Sequence, residues 1–319
     1  MLRVVFIAIG VSLLLAVGIF FRPIWNAVET AMLTNEGSLA IEAHDWDRAT
    51  RVYEQTLKEH PSSVPVALTL AKLYHYKQER DKAESVFASI LKQQPENIEA
   101  RNAYASFLAQ VPTRRNDAIE LYRQGLKLMP AEVSFMSGLG DIYKIAAENL
   151  AETRPPIRFW LSEWAVFYYR HALAKAPELF QNRFNLGVAY QHLEKPDRAV
   201  EQYCNALMIQ PKSYEAYYNL GLALIDSKAY QLGFRQMTRS VRLLMDRDEI
   251  ELARRLSENT QTIRGSLYYK SEKTDENNFR MDQYPEWFQS CVSEDKKPNE
   301  KAEEPASSEK NLKLNGQNQ

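Results

Sequence analysis

The side chains able to do chemistry are few and scattered. Five histidines, His44, His60, His75, His171 and His192, fall at no metal-ligand spacing. None belongs to a His-Glu-x-x-His pair, and none joins a cysteine in a zinc pattern. Cys204 and Cys291, 87 positions apart, form no Cys-x-x-Cys half-site. They read as two ordinary thiols, with a bridge between them as the open alternative. The sequence has no Walker loop and no Gly-x-Ser-x-Gly elbow, and Gly138-Leu139-Gly140 is a lone Gly-x-Gly within a helical pattern. The expectation is a chain that is not an enzyme and uses no metal or cofactor.

What must position any remaining chemistry is a large helical body. With 319 residues the chain is long enough for a sizeable core. Its 40 Lys and Arg against 41 Asp and Glu supply no basic field, so no nucleic-acid partner is expected. Self-similarity at a fixed period organises the middle. From Phe180 to Ala216, Leu186, Gly187 and Tyr190 precede Ala199, Tyr203, Ala206 and Pro211. Ala49 and Ala83, Tyr53 and Phe87, Pro61 and Pro95, and Gly37 and Ala71 are each 34 apart. A third unit runs Tyr104, Ala105, Leu108, Ala118, Tyr122, Gly125, Pro130, with one residue inserted in its turn. A fourth has Leu139, Gly140 and Tyr143, then Ala165, Tyr169, Ala172 and Pro177. A sixth begins Tyr217, Leu220, Gly221, Leu224 but carries Gly233, Met237 and Met245 where the small, aromatic and Pro residues belong.

This spacing resembles the tetratricopeptide repeat, with Arg183 departing at the large first position. The resemblance covers roughly Thr30 to Met245. It implies an all-α, right-handed solenoid of about six helical hairpins, in which small residues let paired helices approach and aromatics fill the joints. The prolines end second helices, and stacking supplies the core that no hairpin has alone. We expect this solenoid over residues 30–262, closed by a polar capping helix of the Asp248–Asn259 type.

The resemblance also implies a concave groove lined by the first helix of each hairpin. Its positions include Phe184, Asn185 and Val188 in the fifth unit and Tyr218, Asn219 and Leu222 in the sixth. Asparagine both donates and accepts, which suits an extended peptide backbone, while Phe184 and Tyr218 would form an apolar floor. The alternative is that both asparagines only orient local backbone. Members that grip a C-terminal carboxylate use Lys or Arg at the fifth position of one unit and the second and sixth positions of a later one. Here the fifth and sixth positions hold no cation, so the expected guest is a partly apolar peptide or helix.

Three segments depart from the repeat. About 13 residues are inserted within 146–163, including Pro155-Pro156, Trp160 and Trp164. The prolines should interrupt a helix; Trp164 is expected to pack, and Trp160 is open between packing and partner contact. The tail, 270–319, has 11 acidic and 7 basic residues from Ser271 onward and is expected to be disordered. Tyr284–Phe288 is its one apolar island, either folding back or serving as a linear motif. Finally, Val4 to Phe21 is apolar save Ser12. At 1.5 Å per residue it spans roughly 27 Å, near the ~30 Å hydrocarbon core. Residues 1–24 are therefore expected to be a transmembrane helix that places residues 4–21 in the lipid bilayer. A cleaved signal peptide competes, though the flank Arg22–Asn26 lacks a small-x-small site. Arg3 and the α-amino group orient the anchor for export, with a periplasmic soluble part; the cytoplasmic face is the alternative. Function then divides between an envelope-assembly scaffold and a cytoplasm-facing adaptor or regulator of an envelope-biogenesis enzyme.

Overall fold

A computed structural model of the chain describes residues 34–150 and 155–271, together with Gln289, Cys291 and Val292. Residues 1–24, the Tyr284–Phe288 island and most of the tail lie outside the described residues. Those described are helical throughout, with no strand, and no helix among them is long and apolar enough to cross a membrane. The chain divides after Ile142 into two compact units.

The first unit begins with α1 (34–42), α2 (Trp46–Glu59), α3 (Val64–Tyr76) and α4 (Arg80–Gln93). It continues with α5 (Ile98–Ala109), a 3₁₀ turn at Pro112–Arg114, α6 (Arg115–Leu128) and the first part of α7 (Val133–Glu148). Each second helix stops one residue before the landmark proline. His60, Gln94 and Met129 are pushed out of the helical basin, with φ of -126°, -133° and -132°, because the following ring disfavours it. The turn inside each hairpin is closed differently. His44 and Gln78 take φ of 57° and 65°, and Asp45 and Glu79 donate their N–H to Ala40 and Tyr74, a Schellman closure. In the third hairpin the inserted residue replaces that turn with the 3₁₀ turn.

The landmark rings sit in the joints. Tyr53, Phe87 and Tyr122 are all buried. A Cβ on Gly37 would come within 2.5 Å of the Tyr53 ring, so glycine is what admits the aromatic. Rungs about one repeat long tie neighbouring hairpins: Lys77 to Asp47 at 2.7 Å and Arg114 to Glu84 at 2.9 Å. Tyr104 also donates its hydroxyl to Glu84 at 3.0 Å. The Arg114 guanidinium, then the Tyr104 hydroxyl, hold the Glu84 carboxyl below its ordinary value of 4.5. A depressed carboxylate contributes stability that is complete above the unfolded value and lost as pH falls through the folded one. We therefore expect Glu84→Gln to cost the first unit about 1 kcal/mol at neutral pH. Urea titrations of wild type and variant should converge in acid; a gap independent of pH would remove the rung from the account.

The second unit holds the end of α7, α8 (Pro155–Lys175), α9 (Phe180–His192), α10 (Pro196–Ile209), α11 (Tyr214–Asp226), α12 (Tyr230–Met245) and α13 (Ile250–Ser271). Its core gathers Tyr203, Leu207, Tyr217, Leu220 and Leu224. The Schellman turns recur 34 residues apart at Glu194 and Lys228, with φ of 55° and 66°. The backbones of α11 and α12 approach closely: a Cβ on either Gly221 or Gly233 would stand 2.7 Å from the other's carbonyl oxygen.

Three expectations change here. Pro155 and Pro156 do not break a helix; they open α8, where the missing N–H needs no partner. The capping helix extends to Ser271, well past Asn259 and past the expected solenoid limit of 262. The cysteines are not free thiols: Cys204 and Cys291 form a disulfide with Cα atoms 5.6 Å apart. Beyond it Val292 is fully buried in the α10–α12 core, and Gln236 donates its side-chain N–H to the Val292 carbonyl at 3.1 Å. At Cys291 and Val292 the tail is thus docked on the second unit rather than free. The bridge and the apolar contact of Val292 supply what the surrounding composition does not.

Candidate peptide-binding site

Helices α9 and α11 hold the predicted groove residues at matching register, 34 apart. Local chemistry fixes both. Arg183, the residue that departs from the repeat pattern, donates its Nε–H to the Pro177 carbonyl at 2.8 Å, tying the start of α9 to the preceding turn. Arg101 does the same in the first unit, to Pro95 at 2.5 Å. At α5 and α9 the cation thus satisfies a carbonyl of the turn before the helix. At α11 the Ser213 hydroxyl accepts from the Ala216 N–H at 3.2 Å, a side-chain cap.

The six positions then separate. Phe184 and Val188 are half-buried and pack on the second-unit core, the Phe184 ring lying 5.6 Å from that of Tyr203. Asn185 is only 5 % exposed and accepts from Gln181 Nε2 at 3.1 Å, so its amide serves the helix it stands on. Tyr218, Asn219 and Leu222 are half-exposed together on α11. Asn219 gives one amide hydrogen to Glu215 O at 2.9 Å, leaving a second hydrogen and a carbonyl oxygen in its inventory. Desolvation pushes the Tyr218 hydroxyl up, against a hydrogen bond from Asn259 of α13.

Three participants were not anticipated. Asn259 was placed on a mere cap. Gln191 accepts the Tyr203 hydroxyl at 2.6 Å and hydrogen-bonds Asp226, whose carboxyl is raised chiefly by desolvation. These residues have no landmark type: the stacking of α9, α10 and α11 brings Gln191 and Asp226 together, and α13 brings Asn259 to Tyr218. The arrangement offers an apolar strip edged by amides, with no nucleophile beside a base. The histidines are dispersed among other tasks: His75 packs edge-on to Phe107, His171 bonds the Phe167 carbonyl, and desolvation holds His192 below its ordinary range.

Trp164 packs by ring stacking on Tyr143 and Tyr168 yet stays 45 % exposed, and Trp160, left open by the sequence, is 65 % exposed. Neither is a core residue, because the inserted residues lengthen α8 and carry them past the hairpin joint.

Comparison with known proteins agrees with this architecture. Residues 40–107 and 180–213 each match a tetratricopeptide-repeat model. A curated relative, the uncharacterised protein y4yS of Sinorhizobium fredii, is 34% identical over 84 residues, which is 26% of this chain and 46% of the relative. The chain thus spans about half the length of the curated relative it matches. Among solved structures, a tetratricopeptide repeat protein from Parabacteroides merdae superposes with a TM-score of 0.53 at 16% identity, over 73% of this chain and 84% of that one. A chain of the APC/C hetero-tetramer Cut9–Hcn1 gives 0.53 at 16% identity, over 72% and 42%. At such identities the likeness is one of fold alone. The described residues are all-helical, and the chain carries tetratricopeptide repeats.

Proposed function

We propose that this chain is a scaffold that holds protein partners, taking a partly apolar peptide or helix along α9 and α11 of its second unit. The observation that carries the reading is the half-exposed trio Tyr218, Asn219 and Leu222, beside Phe184 and Val188 one repeat earlier. It combines apolar surface with an amide able to bond a backbone, the mixture by which helical grooves select guests. The chain is held to a membrane by Val4–Phe21 and gathers its partners during assembly of a cell-envelope complex. The Cys204–Cys291 bridge supports the exported orientation over the cytoplasm-facing one, since such bonds persist in oxidising compartments.

Because Phe184 and Val188 also support the core, substitution there would mix folding with binding. Lysine at Leu222, half-exposed on α11, tests the surface more cleanly. A photoreactive side chain at Asn219 should cross-link discrete partners in cells, and Leu222→Lys should reduce that yield by roughly tenfold at unchanged helicity. Undiminished cross-linking would remove the groove from the reading. Alkaline phosphatase fused after Gln319 should be active; fluorescence from an ordinary fluorescent protein at that position, with no phosphatase activity, would place the repeats in the cytoplasm.

A further inference from the structure

Helix α8 is apolar on two faces. Ser162, Ala165, Tyr169 and Ala172 face inward and are fully buried. On the other side Ile157, Trp160, Trp164, Phe167, His171 and Ala174 are all exposed, at spacings of three and four. Four of these are large apolar side chains 43 to 65 % exposed. Alternating steps of three and four are the a and d positions of a heptad, the pattern that seats one helix along another. The stripe is about 26 Å long at the α-helical rise, ample for a helix partner and far more than a lone exposed ring requires.

The flanking residues say which helix fits. With Ile157 as position a, Glu163 and Arg170 occupy g, and Leu161 and Tyr168 occupy e. In an antiparallel pair of identical helices, g faces g and e faces e. Glu163 then meets the second copy's Arg170, twice by symmetry, while Leu161 meets Tyr168. A parallel pair would instead oppose Arg170 and Lys175, two cations. The stacked layers of the antiparallel pair are also complementary: Trp164 against Phe167, Trp160 against His171, Ile157 against Ala174. An open hollow of about 400 Å³ lies along this face, bounded by Glu163, Val166, Phe167, Arg170, His171 and Ala174. It stands where the Trp160 ring of the second copy would enter. We infer that α8 is a self-association surface, on which two copies of this chain pair antiparallel through the exposed stripe. This goes beyond the groove reading and does not depend on it.

Glu163 already accepts from Lys195 at 2.8 Å through one oxygen, which orients the carboxylate and leaves its other oxygen for the second copy. Lys195→Ala should therefore leave pairing intact. Sedimentation equilibrium of the full chain in density-matched detergent reads the outcome. Wild type should reversibly form two-copy species, and Glu163→Arg should raise the dissociation constant by roughly tenfold or more, since it sets two cations against two cations. Glu163→Arg combined with Arg170→Glu should restore pairing, a rescue that a folding defect does not give. Trp160→Glu should abolish pairing at unchanged helicity by circular dichroism. A chain that stays single, pairing indifferent to Glu163→Arg, or a double variant that fails to recover would each overturn the inference.

Discussion

Replacing Cys291 with serine is expected to lower the stability of the second unit by about 2–4 kcal/mol. The bridge closes a loop of 87 residues that contains α11, α12 and α13, so it fastens the last two hairpin elements back onto α10. Chain entropy alone gives roughly 4.6 kcal/mol for a loop of that length, an upper figure because helices inside the loop already restrict the unfolded chain. Losing the bridge also frees Val292 to leave the core and Gln236 to lose its carbonyl partner. Thermal unfolding with and without a dithiol reductant measures this directly. Reductant should bring wild type down to the variant and leave Cys291→Ser and Cys204→Ser unmoved, and the double variant should be no worse than either single one. A wild-type transition insensitive to reductant would mean that the thiols are not joined and that the tail segment is not held by them.

The repeats were legible because their landmarks are chemical necessities at fixed spacing. Tyr53, Phe87, Tyr122, Tyr169 and Tyr203 each fill a joint that a smaller residue would leave empty, and each proline visibly bends the residue before it. The proline pair was misread in kind, since proline at the opening of a helix and proline within one look alike in a sequence. The hairpin turns were invisible for a different reason: His44, Gln78, Glu194 and Lys228 take the left-handed conformation without being glycine. The Schellman hydrogen bonds hold them there, and those bonds belong to the backbone rather than to any residue type. The Cys204–Cys291 bridge could be no more than an open alternative in the sequence, because two cysteines 87 positions apart meet only if the fold brings Cys291 back to α10. At the proposed groove positions, register pairs α9 with α11, yet nothing in the repeat spacing distinguishes Asn185 from Asn219. Their difference comes from Gln181, whose amide satisfies the first, and from the deeper seat of that residue beside the α10 core.

Tyr203→Ala is expected to cost the second unit about 3–5 kcal/mol, the range for removing a fully enclosed aromatic ring. The ring is closed off from solvent, with Gly187 so near that a Cβ there would stand 2.7 Å from it and with Phe184 tilted against it at 5.6 Å. Neither neighbour can refill the space: glycine has no side chain, and Phe184 is itself packed against the core. Tyr203→Phe separates the ring from its hydroxyl, which donates to Gln191 at 2.6 Å. That variant should cost about 1–2 kcal/mol, chiefly by leaving the glutamine oxygen without its donor. The two effects also part with pH. Burial pushes the Tyr203 phenol well above its ordinary value of 10.0, with the charges of Asp226 and Glu148 adding to the shift. A raised folded pKa gives stability that is complete below the unfolded value and is lost as pH rises through the folded one. Wild type should therefore lose ground to Tyr203→Phe above pH 10, while the alanine deficit at neutral pH keeps the cavity term. Urea unfolding of the three proteins from neutral to alkaline pH tests both parts. A small alanine effect would show that the joint between α9 and α10 collapses around the missing ring, and the groove floor at Phe184 would then be set by something other than the aromatic beneath it.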